Sequence, residues 1–148
     1  FVFVFFGLVA VGGTYWVQAM VWPVDAVLAG AGIGALNTAI LVVNNLRDIE
    51  TDAKANKRTL AVRLGVRGTQ VEYLVMLGVG AAVPVAGVVW LGWPFWALLS
   101  LVALALAVGP ARMVLGFDEP RQLLPALGAT ARVVVVYGVL LGIGLGVG

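Results

Sequence analysis

Apolar residues in this chain do not alternate with polar ones at the period of a strand, and they do not recur as a single stripe on a surface helix. They come in long runs broken by two short polar connections. Residues 1–46 contain one charge, Asp25, and residues 73–111 contain none over 39 positions. A membrane-crossing helix needs roughly 20 apolar residues, so each run is long enough to cross twice. The pattern predicts an all-α, polytopic transmembrane bundle of about five spans. They fall at about 1–22, 24–46, 71–89 and 93–115, with a fifth reaching residue 148. Polar connections occupy 47–70 and 116–125. The whole of 1–148 reads as a single domain, with 47–70 as a cap over one end. Trp90-Leu91-Gly92-Trp93-Pro94 predicts a tight turn with tryptophans at interfacial depth. Pro23, Pro94 and Pro120 fall at element ends, whereas Pro84 and Pro110 are expected to kink the spans they enter.

Composition agrees. The chain is 62% hydrophobic and 11% charged, against about 25% charged in a soluble domain, so it lacks the polar surface that water requires. It has neither cysteine nor histidine. That removes disulfides, thiolate metal sites and the commonest general base, leaving chemistry to carboxylates, amides, tyrosines and cations. A net charge of +2 with localised basic residues argues against a nucleic-acid partner. The cations report topology instead. Arg47, Lys54, Lys57, Arg58, Arg63 and Arg67 lie in or beside one connection, and Arg112, Arg121 and Arg132 flank the other. In a five-span chain both connections face the same side, and the opposite turns carry no Lys or Arg. The excess places the 47–70 connection on the cytoplasmic face of the plasma membrane. The chain opens at Phe1 within an apolar run, so it reads as a piece of something longer.

Glycine fills 20 positions, with clusters such as Gly30-Ala31-Gly32-Ile33-Gly34. In lipid, small residues let helices approach closely, so these are read as packing positions and not as nucleotide loops. Thr14, Tyr15 and Gln18 share a face of the first span, and Asn37 and Thr38 sit deep in the second. These polar side chains either hydrogen-bond between helices or line a cavity for an aromatic molecule. Asp25 reads as an exposed loop acid and Asp118-Glu119 as a polar turn.

The densest chemistry lies where the second span ends, at Asn44-Asn45-Leu46-Arg47-Asp48-Ile49-Glu50-Thr51-Asp52. At about 100° per residue, Asp48, Asp52 and Asn45 fall at about 40°, 80° and 100° from Asn44. Four oxygen-bearing side chains thus share a face, while Glu50 points away. The bland alternative is a solvated loop whose acids offset its cations. Packing, however, does not call for amides continuing that face into an apolar span. A hard divalent cation takes oxygen ligands, and magnesium is commonly held by one or two carboxylates together with substrate phosphates. Asp48 and Asp52 are therefore the candidate metal-binding and catalytic acids. Lys57 and Arg58 are placed to take phosphate oxygens the metal leaves free.

This segment, followed by Lys57-Arg58-Thr59-Leu60-Ala61-Val62-Arg63-Leu64-Gly65, resembles the second aspartate-rich motif of the UbiA-type intramembrane prenyltransferases, most of all their menaquinone branch. Gly13-Thr14-Tyr15 with Gln18 fits the same branch more loosely. The resemblance implies nine helices around a cavity, with two acidic motifs that bind Mg2+ and a polyprenyl diphosphate. Asp48 and Asp52 become metal ligands. Asn44, Asn45 and Arg47 join the diphosphate site, and Lys57 and Arg58 belong to the cap over it. The first acidic motif and its helices are not in this sequence, so the five spans correspond to the last five of nine. The chain is expected to need those N-terminal helices as a partner and to be inactive alone. Asn56 stands where the family commonly has glycine, in a turn whose left-handed backbone asparagine tolerates.

The implied reaction moves a polyprenyl group from its diphosphate to 1,4-dihydroxy-2-naphthoate, with loss of carbon dioxide, to give demethylmenaquinol. Prenylation of another aromatic acceptor, such as 4-hydroxybenzoate or homogentisate, is the nearest alternative. A transporter fragment is a more distant one, since it calls for charge near mid-membrane, whereas these acids sit at the rim.

Overall fold

A computed structural model describes residues 1–147 of the chain, and every regular element among them is helical. A π-helical opening, Val4–Val9, runs into α1, Ala10–Ala19. Then follow α2, Val24–Arg47, α3, Ile49–Lys54, and α4, Leu60–Trp90. A 3-10 turn at Phe95–Leu99 leads into α5, Ser100–Ala105, and α6, Val108–Gly116. A second 3-10 turn, Pro120–Leu123, opens α7, Leu124–Gly146.

Five apolar helical segments stand where the hydropathy places five spans. Three of them, α2, α4 and α7, are long and apolar enough to cross a bilayer. A fourth counts if α5 with its 3-10 lead and α6, bent by 42°, is one span. The bend at Leu106 and Ala107 lies just ahead of Pro110, whose ring crowds the carbonyl four residues back and whose nitrogen cannot donate to it. The remaining segment, Val4–Ala19, is apolar but shorter, because Met20 adopts a left-handed conformation at φ 55° and ends it. The polar connection 47–70 proves largely helical, occupied by α3 and the beginning of α4.

The central helix is α2. Its most apolar stretch is 56% buried, against 28% for α4 and for α7. Glycines on two sides of it allow that. Gly30 and Gly34 meet Gly7 of the first helix, where a Cβ at Gly34 would lie 2.5 Å from the Phe3 carbonyl oxygen. Gly32 faces the opposite way, and a Cβ there would lie 2.7 Å from the Tyr137 hydroxyl. One apolar cluster joins Leu36, Val83, Trp93, Tyr137 and Leu141, and a second joins Val43, Leu46, Tyr73, Val114 and Leu123.

Hydrogen bonds between helices come from side chains that the hydropathy pattern does not single out. Tyr73 and Thr130 pair hydroxyl to hydroxyl at 3.0 Å. Gln70 donates to the Val114 carbonyl at 2.9 Å. Pro84 lies within α4, yet the backbone stays helical there, and the non-helical residue inside α4 is Gly65 at φ 69°. The reason lies in a neighbouring helix. A proline at 84 cannot donate to the carbonyl of Gly80, and the Tyr137 hydroxyl donates to that oxygen instead, at 2.8 Å. By contrast, Thr14, Asn37 and Thr38 bond back to carbonyls of their own helix, at Ala10, Ile33 and Gly34. This intrahelical satisfaction is common for short polar side chains and takes the place of the first alternative, helix-to-helix bonding, while Asn37 also lines a cleft as the second alternative has it.

At the end remote from the polar connections, Asp25 lies in the first turn of α2 and is not a loop residue. Trp93 folds back onto the bare backbone of Gly87, and its indole nitrogen donates to Asp25 at 2.6 Å. Trp90 of the same turn stays 80% exposed.

Candidate site at the polar rim

The motif spans the junction of α2 and α3. Asp48 closes one helix and opens the next at φ −95° and ψ 7°, so the continuous helical face expected from spacing alone is interrupted there. The ladder nonetheless passes through. The Asp48 amide donates to Asn44 at 3.1 Å, and its carbonyl accepts from Asp52 at 2.8 Å. Asn44, Asp48 and Asp52 therefore remain one hydrogen-bonded turn apart.

Each acid is held by its own cation. Arg47 grips Asp48 with two bonds of 2.8 Å, from Nε to Oδ1 and from a terminal nitrogen to Oδ2. The same terminal nitrogen reaches Asn44 Oδ1 at 3.0 Å, so Arg47 ties the amide to the acid. Arg47 hydrogen bonding holds the Asp48 carboxyl below its usual range against the effect of partial burial, and the charge of Lys57 adds to it. Asp52 is only 7% exposed. Its Oδ1 accepts from Lys57 Nζ at 3.1 Å.

The Asp52–Lys57 contact follows from how α3 ends. The Asn56 amide donates to Ala53 at 3.1 Å and the Lys57 amide donates to Asp52 at 2.9 Å, the paired bonds of a Schellman ending. Such an ending needs a left-handed residue, and Asn56 supplies it at φ 54°. The chain reverses and returns Lys57 to the acid five residues earlier. Sequence spacing assigned Lys57 to phosphate and overlooked this pairing. The asparagine between them was the signal available.

Arg58 is exposed, and neither it nor Asn45 makes a side-chain hydrogen bond among the described residues. Glu50 is exposed, and its side chain makes no hydrogen bond or ion pair to the acids' cations among the described residues. Below the rim, Asn44 and Asn37 line one wall of a cleft of about 300 Å³, completed by Val2, Phe6, Ile40, Leu41 and Leu127. The cleft is an open groove along α2, with Asn44 toward the polar rim and Asn37 two turns further along the helix. Tyr15 belongs to a separate cleft at the opposite end, beside Asp25 and Trp93.

The donor set suits a hard cation, since it offers carboxylate and amide oxygens. No group of three or more His, Cys, Asp or Glu assembles among the described residues. Two acids are too few for an all-protein cage, but they match a magnesium ion that shares its coordination with substrate phosphates.

The UbiA prenyltransferase family model matches residues 1–131. The chain belongs to the UbiA prenyltransferase family. It is 38% identical over 147 residues to a 1,4-dihydroxy-2-naphthoate octaprenyltransferase of Haemophilus influenzae, covering 99% of this chain and 48% of that protein. Proteins of the same name in Mycobacterium tuberculosis and Escherichia coli are 42% and 32% identical. The first match covers 92% of this chain and 46% of its relative, the second 97% and 47%. This UbiA chain thus spans about half the length of the curated relatives it matches. No solved structure matches it. As a UbiA-family chain with these apolar helices, it is a multi-pass membrane protein.

Proposed function

We propose that this chain forms part of a magnesium-dependent prenyltransferase that joins a polyprenyl group to 1,4-dihydroxy-2-naphthoate in menaquinone biosynthesis. The observation that carries the reading is the pair Asp48 and Asp52, one hydrogen-bonded turn apart, with Asn44 one turn before them tied to Asp48 through Arg47 and lining a largely apolar cleft. The names of its relatives supply the substrates. Positive charge crowds the same rim, which supports a cytoplasmic position at the plasma membrane, where the diphosphate head group is accessible. Helices and a first acidic motif from outside this sequence complete the cavity.

Magnesium, when bound, supplies the positive charge that neutralises a departing diphosphate. Asp48 and Asp52 would hold it. Asp48 is a carboxylate whose two oxygens are both engaged by Arg47, so a bound metal would take the place of Arg47 on at least one of them. Lys57 and Arg58 lie at the same rim and take phosphate oxygens by charge-assisted hydrogen bonds, Arg58 in bidentate fashion, while Arg47 orients Asp48 and Asn44. The allylic carbon–oxygen bond breaks and its electron pair leaves with diphosphate. The ring carbon that bears the carboxyl group forms the new carbon–carbon bond with the allylic carbon. The ring–carboxyl bond then breaks, its electrons restore aromaticity, and carbon dioxide departs. The apolar wall formed by Phe6, Ile40, Leu41 and Leu127 keeps water from the allylic cation.

The test is Asp48→Asn in the complete protein. Prenyl transfer should fall by roughly 100-fold or more, as when a charge-stabilising group is removed, while membrane insertion and detergent extraction stay normal. Undiminished turnover would remove the rim acids from the reaction.

A further inference from the structure

Asn37 lies two turns deeper than Asn44 on the same wall of the rim cleft, about 10 Å along the helix axis. Its side-chain nitrogen donates to the Ile33 carbonyl at 3.1 Å, which fixes the amide so that its oxygen is the free atom. That oxygen accepts no hydrogen bond among the described residues, and no polar side-chain atom there is both buried and unpartnered. The amide oxygen is therefore open to the cleft. Thr38 beside it is satisfied by Gly34 and offers nothing comparable. An unpaired carbonyl facing an apolar space is costly, so a ligand able to donate a proton would be favoured at this depth.

Chemistry narrows the donor. An ionised diphosphate and its hydrocarbon tail carry no hydrogen-bond donor, and neither does a carboxylate. Only the two ring hydroxyls of a dihydroxynaphthoate do. The hydroxyl next to the carboxylate is occupied by an internal hydrogen bond to it. The hydroxyl on the far side of the ring is free. With the reacting part of the ring turned toward the rim, that hydroxyl points down the cleft. We infer that Asn37 accepts a hydrogen bond from this second ring hydroxyl and so determines which aromatic acceptor is used. The inference rests on the proposed naphthoate acceptor and adds to it the residue that reads the substituent pattern.

The experiment uses the complete protein and compares 1,4-dihydroxy-2-naphthoate with 1-hydroxy-2-naphthoate, which lacks only the distal hydroxyl and serves as a competitive inhibitor. The wild type should favour the dihydroxy compound about 10-fold, the scale of one hydrogen bond with an otherwise unpaired acceptor. Asn37→Leu should bring that ratio to about 1 while leaving the KM for polyprenyl diphosphate within about 2-fold. Asn37→Ser is small and polar, and can bond back to Ile33 as Thr38 does to Gly34. It cannot reach across the cleft and should lose the preference equally. Equal binding of both naphthoates by the wild type, or a preference retained in either variant, overturns the assignment of Asn37 alone. Failure of the wild type to prenylate dihydroxynaphthoate at all, with another acceptor used instead, overturns the function proposed above and this inference with it.

Discussion

The rim and the interior of this bundle both depend on polar contacts, but they build them in opposite ways. At the rim, partners are neighbours in sequence: Asp48 with Arg47, Asn44 with Arg47, Asp52 with Lys57. In the interior, Tyr73 meets Thr130 and Tyr137 meets Gly80, each across 57 positions. The rim contacts are charged and reach water, so a ligand of higher charge can displace them. The interior contacts are neutral or sealed against the apolar core, where nothing else can take their place. The comparison separates a surface prepared for exchange from a frame that holds it still.

Substitutions should separate the two regions, and the largest effect belongs to the frame. Gly34→Leu forces side-chain atoms into the Phe3 backbone and should prise the first helix from α2. Thermal unfolding in detergent should register a loss of roughly 3 kcal/mol or more, at the upper end for overpacking. Tyr137→Phe removes one oxygen and strands the Gly80 carbonyl, for a cost of about 1–3 kcal/mol with donor affinity unchanged. Lys57→Met at the rim should also disturb donor binding. Stability would fall by about 1–3 kcal/mol, because the lysine itself is exposed but its loss leaves the buried Asp52 carboxylate unpaired. The KM for polyprenyl diphosphate should rise several-fold. If Lys57→Met instead unfolds the protein while Tyr137→Phe spares it, the division between rim and frame is wrong.

The smallest effect is on pH dependence. Because the folded Asp48 carboxyl titrates below its unfolded value, the unfolded chain binds more protons between the two values. The contribution of the Arg47–Asp48 pair is thus complete above the ordinary aspartate pKa, near 4. It fades as pH falls through the lower folded value. Thermal stability in detergent should show no Asp48-dependent change between about pH 5 and 8, and the difference between wild type and Asp48→Asn should shrink only in stronger acid. A difference that shrinks at pH 6 would mean Arg47 does not hold the acid as described.

The same contrast explains what was legible in the sequence. Spans could be read because lipid imposes an apolar run of known length, and the rim because its residues act over one or two turns. The left-handed turn at Asn56 was foreseeable for the same reason. The pairing of Lys57 with Asp52 needed the further step of tracing where that turn sends the chain. Pro84 looked like a kink because its partner, Tyr137, lies in another helix and no local pattern announces it. Trp93 read as an interfacial anchor, yet it turns inward because Gly87 leaves a flat patch beside Asp25. Thr14 and Thr38 misled in the opposite sense, since a hydroxyl deep in a span can satisfy itself on its own helix. The rim cleft was invisible in sequence, being formed by residues as far apart as Val2 and Leu127.

The hydroxyl that covers for Pro84 also sets a direction on descent. A lineage could exchange the imino acid for alanine first, since the regained amide would serve the Gly80 oxygen and leave the phenol spare. Losing the phenol first would abandon that oxygen to hydrocarbon. Among descendants of this fold, chains with tyrosine and no proline should be found, whereas chains with proline and no hydroxyl at the facing position should be scarce.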